Sequence, residues 1–165
     1  MRYSIRISFF ALAMILAPAL SAQDAEVEVG EVTGFFGGVF GVGSHPTVGA
    51  GFAYPTSRHL VPNAEFSYAP LGGPRGFRSN LWDFNGGVQV RFPGHIQRLA
   101  PYVGVGIGLV HVGGPFGSDT DFAVNLSGGA RYYLTENLGI RPEIKGFLGD
   151  NRFTRFSLGV FWQFQ

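Results

Sequence analysis

The stretch FAVNLSGGARYYLTENLGIRPEIKG, residues 122–146, and the segment RFTRFSLGVFWQF at 152–164 alternate in polarity with a period of two. Successive side chains of a β-strand point to opposite faces, so this period predicts strands. In Phe122–Leu134 one parity reads Phe122, Val124, Leu126, Gly128, Ala130, Tyr132 and Leu134, and the other reads Ala123, Asn125, Ser127, Gly129, Arg131 and Tyr133. After a turn at Thr135-Glu136-Asn137 the division repeats, with Leu138, Ile140, Pro142 and Ile144 set against Gly139, Arg141, Glu143 and Lys145. In the last segment Thr154, Phe156, Leu158, Val160, Trp162 and Phe164 oppose Phe153, Arg155, Ser157, Gly159, Phe161 and Gln163. Three long amphipathic strands in a meander fit a soluble sandwich or barrel, or a barrel whose apolar face meets lipid.

Composition favours lipid. At 165 residues the chain holds one ordinary domain. Charged residues are only 14% and aromatics 15%, with 17 Phe and 26 Gly. That balance is too apolar and too rich in glycine for a soluble domain of this size, whereas the outer face of a membrane barrel needs no burial against protein. The N-terminus carries Arg2 and Arg6, an apolar run from Ile7 to Leu20 broken by Ser8 and Pro18, and then Ser21-Ala22, which is the pattern of a secretory signal. Residues 1–22 are expected to be a signal peptide and 23–165 the barrel domain, since a membrane-spanning helix needs a run of about 20 apolar residues. Without Arg2 and Arg6, ten basic residues stand against eleven acidic ones, so neither a polyanion-binding surface nor a nucleic-acid partner is implied. The absence of Cys excludes disulfides and thiolate metal sites.

The same alternation recurs upstream. After an acidic leader at Gln23–Glu28, strands are predicted at about Val29–Gly41, Thr47–Tyr54, Val61–Tyr68, Leu81–Phe92 and Tyr102–Val112. In the first, Val32, Phe36 and Phe40 face outward, while Glu31 points inward and Phe35 and Val39 enter the lumen beside Gly37. In the fifth, Val103, Val105, Ile107 and Leu109 alternate with Gly104, Gly106 and Gly108, and Tyr102 falls on the glycine parity. The connections read as Gly43–Pro46, Pro55–Arg58, Ala69–Asn80, Pro93–Pro101 and Gly113–Asp121, rich in turn-forming residues. Eight strands, each near the ~9–11 residues that cross a bilayer at a tilt, predict an all-β fold: an antiparallel up-and-down transmembrane β-barrel. With both ends periplasmic, the external connections are 43–46, 69–80, 113–121 and 148–152.

The apolar parity is assigned to lipid, because Arg or Lys exposed at mid-bilayer costs about 2–4 kcal/mol each. Glu65, Asp83, Arg91, Arg131, Arg141, Glu143, Lys145 and Arg155 then all enter the lumen, where buried charges must be paired. The same phase places Tyr54, Phe92, Tyr132, Trp162 and Phe164 at periplasmic strand ends, with Tyr68, Trp82 and Phe122 at the opposite ends, forming two aromatic girdles. Pro142 conflicts with this scheme: a closed barrel has no edge for its missing N–H, so a bulge or a lost ladder bond is expected.

The segments PYVGVGIGLVHV, FAVNLSGGARYYLTENLGIRPEIKGF and FTRFSLGVFWQF resemble the outer membrane protein β-barrel superfamily, in particular the small eight-stranded barrels of OmpA/OmpX type. The resemblance implies residence in the outer membrane of a Gram-negative-type bacterium, contact with its lipid and lipopolysaccharide, and insertion by the barrel assembly machinery as a monomer. Members usually end on an aromatic residue that this machinery reads, whereas here Gln165 follows Phe164.

Little points to chemistry. Gly104, Gly106 and Gly108 lack the last glycine and the Lys of a nucleotide loop, the four His residues have no metal-ligand spacing, and no cofactor is implied. The leading expectation is a non-enzymatic barrel with an ion-paired lumen, in a structural or surface-interaction role. A narrow gated pore, a lipid A deacylase-like enzyme and a soluble lipocalin-like carrier are the alternatives. The enzyme would need a His and a Ser close together, and His111 is followed by Val112 and Gly113. The carrier would invert the phase, turning Phe52, Val88, Ile107 and Leu126 inward and Arg131 and Lys145 outward.

Overall fold

The computed structural model describes residues 29–41, 43–57, 59–72, 79–92, 98–114, 117–150 and 152–164. The expected signal peptide, the acidic leader and Gln165 lie outside the described residues. Eight strands run in chain order: β1 (Gly30–Phe40), β2 (His45–Ala53), β3 (Leu60–Leu71), β4 (Ser79–Arg91), β5 (Leu99–Gly114), β6 (Gly117–Tyr133), β7 (Leu138–Leu148) and β8 (Phe153–Phe164). Each pairs antiparallel with its sequence neighbour, and β1 closes on β8 from Gly30↔Phe164 to Phe40↔Thr154, giving a closed barrel.

The phase of every strand follows the solvation rule. Phe36, Phe52, Phe84, Ile107, Leu126, Ile144, Val160 and Trp162 are exposed on the outer wall, while Arg131, Lys145 and Arg155 are buried. This excludes the inverted phase of a lipocalin-like carrier: an isolated molecule with this much contiguous outer apolar surface needs a hydrocarbon solvent.

Two connections are shorter than their composition suggests. β5 and β6 stay paired from Leu99↔Tyr132 up to Gly114↔Gly117, so most of 113–121 is ladder, with residues 115–116 outside the described set. Likewise Ala69↔Leu81, Pro70↔Asn80 and Leu71↔Ser79 extend the β3–β4 hairpin. Glycine, serine and aspartate read as turn formers, but cross-strand pairing in the tall hairpins overrides that preference. On the other side, the Thr135 turn is tight: the Leu134 and Thr135 amides donate to the Leu138 carbonyl at 2.9 and 3.0 Å.

At Pro142 the ladder bond is lost without a bulge. The β6–β7 register runs to Gly129↔Glu143 and resumes in the same phase at Tyr132↔Ile140, with the rows between them unpaired. On the other side, Pro142↔Leu158 stays in register with β8.

Candidate functional site in the barrel lumen

The lumen is built from one parity of every strand, and it divides by height into two charged layers beneath an apolar one. The lower layer, at the end where both termini meet, centres on Glu31 of β1. Arg131, from β6, donates to it through Nε at 2.9 and 3.1 Å and through Nη2 at 2.9 Å. Arg91 Nη2 and Gln163 Nε2 each reach Glu31 Oε2 at 3.2 Å, and Gln89 Oε1 accepts from Arg131 Nη2 at 2.8 Å. The Arg131 guanidinium lies 4.7 Å from the Tyr102 ring centroid. Its planar fork suits both a carboxylate and an aromatic face.

The upper layer centres on Glu65 of β3. Arg141 Nη2 reaches Oε1 at 2.7 Å, and Lys145 Nζ and Arg155 Nη2 reach Oε2 at 2.6 Å each. Asp83 accepts from the Ser67 hydroxyl and from Asn85 Nδ2, the latter at 2.7 Å, with Arg155 Nη1 at 3.6 Å. Glu143 lies 3.6 Å from both Lys145 and Arg155 and accepts the Tyr102 hydroxyl at 2.7 Å. Arg141 also leans on Glu31 at 3.8 Å, linking the layers.

Glycine makes these reaches possible. A Cβ at Gly129 would lie 2.4 Å from the Pro142 carbonyl oxygen and 2.7 Å from the Tyr102 hydroxyl, so a larger residue would push Tyr102 off Glu143. At Gly49 a Cβ would sit 2.3 Å from the Phe35 ring, which occupies that space and stacks under the Arg155 guanidinium at 4.5 Å.

Above the charges the lumen is apolar. Val39, Ala69, Leu71, Leu81, Val110, Ala123, Phe147 and Phe153 form one buried cluster, with Phe147 and Phe153 stacked at 4.3 Å.

The eight charges assigned to the lumen from sequence, Glu65, Asp83, Arg91, Arg131, Arg141, Glu143, Lys145 and Arg155, all lie there and join one connected set of ion pairs. Glu31, whose inward phase is legible in β1, joins the same set through partners 60 to 132 residues away in the chain. Tyr102, odd among glycines, joins the layers: its hydroxyl donates to Glu143 and its ring lies under the lower layer's Arg131.

On the outer wall, Tyr54, Phe92, Tyr132, Trp162 and Phe164 sit at or beside the lower ends of β2, β4, β6 and β8. The Trp162 and Phe164 rings are 5.6 Å apart. Tyr68 and Trp82 face each other in one upper row, and Phe122 is the most exposed aromatic near the top of β6. Trp82 stacks on His111 at 4.9 Å, and His111 Nδ1 lies 2.7 Å from Thr120 Oγ1 across the β5–β6 ladder. Sequence spacing misses that hydroxyl because it comes from the opposite strand.

Residues 7–164 match the outer membrane protein beta-barrel domain. The chain belongs to that family. Among curated proteins none matches its sequence, but solved structures do. The Neisserial surface protein A structure aligns with a TM-score of 0.66 at 13% identity, covering 83% of this chain and 97% of that one. The N-terminal β-barrel domain of Pseudomonas aeruginosa OprF gives 0.60 at 20% identity, with 82% and 97% covered. The attachment invasion locus protein Ail of Yersinia pestis gives 0.59 at 14% identity, with 84% and 99% covered. At these identities the likeness is one of fold. Family and fold together place this barrel in the outer membrane of a Gram-negative bacterium.

Proposed function

We propose that the protein is a non-enzymatic envelope barrel whose filled lumen makes a rigid anchor and whose outward hairpins meet partners at the cell surface. The filling of the lumen is the observation that carries this reading. Two layers of ion pairs are followed by the Val39, Leu71, Leu81, Phe147 and Phe153 layer. An eight-stranded barrel is just wide enough for such side chains. An ion would have to break the charge lattice and then cross apolar side chains, which argues against the gated-pore alternative. The β5–β6 hairpin exposes Ser118, Asp119 and Thr120 beyond the apolar layer, a surface suited to polar contacts. We further propose that the barrel acts as a monomer, with its girdles at the level of lipid and lipopolysaccharide headgroups, after delivery by the barrel assembly machinery.

The purified protein in planar bilayers tests the filled-lumen reading. No unitary conductance is expected, either in the wild type or when the ionic strength is raised. Discrete, voltage-stable steps would sink it.

The His111–Thr120 pair favours one competitor, a membrane-facing hydrolase with Thr120 as nucleophile and His111 as base. Incubation with lipopolysaccharide separates the readings. The anchor releases no acyl chains, whereas the hydrolase releases them and loses that activity in Thr120→Ala.

A further inference from the structure

The two charged layers are not equally balanced. In the upper layer Glu65, Asp83 and Glu143 stand against Arg141, Lys145 and Arg155, three against three. In the lower layer Glu31 alone stands against Arg91 and Arg131, with Arg141 leaning toward it at 3.8 Å. The lower layer therefore holds one positive charge in excess. Arg131, Gln89 and Glu31 are essentially fully buried, and the Arg91 side chain is 14% exposed. A net charge in such a setting is costly unless something neutralises it.

The unsatisfied groups divide in the same way. In the upper layer the orphaned atoms include both an acceptor, Glu143 Oε1, and donors, Arg155 Nε and Nη1, together with Asn125 Nδ2. There Arg155 Nη1 lies 3.6 Å from Asp83 Oδ1 and Glu143 Oε1 lies 3.6 Å from Arg155 Nη2, so opposite charges stand within a spacing that small adjustments or a shared water can close. In the lower layer Arg131 Nη1, Arg91 Nε and Gln89 Nε2 have no hydrogen-bond partner among the described residues. All three are donors, and no orphaned acceptor lies among them. They also belong to one hydrogen-bonded group, because Arg131 and Arg91 share Glu31, and Gln89 accepts from Arg131.

We infer that the Glu31 layer is a binding site for one small monovalent anion of the halide class, held by Arg131, Arg91 and Gln89 near the periplasmic mouth of the lumen. A halide accepts hydrogen bonds from all directions, so it satisfies donors at no fixed angle and removes the excess charge. A neutral water would do only the first. Arg91 lies at the entrance and is the least buried member, so it admits the ion. The upper layer has no charge deficit and takes none. The cationic face of Arg131 that stacks on Tyr102 is not used, since the ion engages the guanidinium edge.

The purified barrel in detergent tests this by thermal unfolding in chloride against a bulky organic anion at constant ionic strength, with bromide-soaked crystals for position. Chloride is expected to raise the unfolding midpoint saturably, by about 3–6 °C at tenfold above half-saturation. Bromide is expected to give an anomalous peak within hydrogen-bonding distance of Arg131 Nη1 and Gln89 Nε2. Gln89→Glu supplies the missing charge in place, so it should raise the midpoint without chloride and abolish the chloride response; Arg91→Gln should also abolish it. Identical midpoints in both anions, bromide only at the outer surface, or an undiminished chloride response in Gln89→Glu would each overturn the assignment. Asp24, Glu26 and Glu28 precede β1 in the sequence, and their carboxylates could supply the same charge. In a variant with all three neutralised, an unchanged chloride response supports the halide, and a response that appears only there overturns it.

Discussion

Glu31 and Glu65 are both glutamates at the centre of a buried cationic cluster, yet their settings differ. Glu65 receives three cations at 2.6–2.7 Å in a layer whose charges cancel. Glu31 receives a bidentate arginine and a more distant one at 3.2 Å, in a layer whose charges do not cancel and whose Arg91 is part-exposed at the lower mouth of the barrel. The lesson concerns what a buried ion pair does. Such pairs often add little against a hydrophobic replacement, but breaking one from a single side strands a charge in a dry place. How dry that place is, and how many charges are stranded, decides the penalty.

Neutralising the hubs gives the largest expected effect. Glu65→Gln takes from three cations beneath the apolar layer the carboxylate they share and leaves them only carboxylate partners at 3.6–3.8 Å, and folding stability, read from urea titration into micelles, is expected to fall by the upper end of about 3–5 kcal/mol. Glu31→Gln should fall short of that by at least about 1 kcal/mol, because water and mobile anions reach Arg91 and relieve the stranded charge. If Glu31→Gln proves as damaging as Glu65→Gln, the two layers are equally closed and the contrast between them is lost. The smallest effect falls on the group between the layers. Tyr102→Phe removes a hydrogen bond to a carboxylate and should cost about 1.5–3 kcal/mol, with the Arg131 stacking retained. A near-zero change would mean that Glu143 finds another donor and that the layers are not coupled through Tyr102.

Much of this was legible in the chain. The alternation in Phe122–Tyr133 and Phe153–Phe164 gives the face of each residue, because a strand has only two faces and lipid tolerates only one kind of side chain at depth. Even β1, with Phe35 and Val39 inward, follows from keeping Glu31 out of lipid. The tall β5–β6 hairpin was hidden because Gly-Ser-Asp composition favours turns locally while pairing with Val112 and Gly113 is a tertiary matter. Pro142 was legible as a conflict, but whether the chain would bulge or skip depended on β6 keeping its phase on both sides.

The sequence by itself determined that this is a lipid-facing barrel and which residues enter its interior, since both follow from a period of two and the cost of exposing charge to hydrocarbon. Only the tertiary structure decided who pairs with whom. The strand registers bring Glu31 to an arginine 100 residues away and set a balanced layer above an unbalanced one. Periodicity fixes direction, but height within the barrel comes from register and closure, which no local stretch of chain encodes.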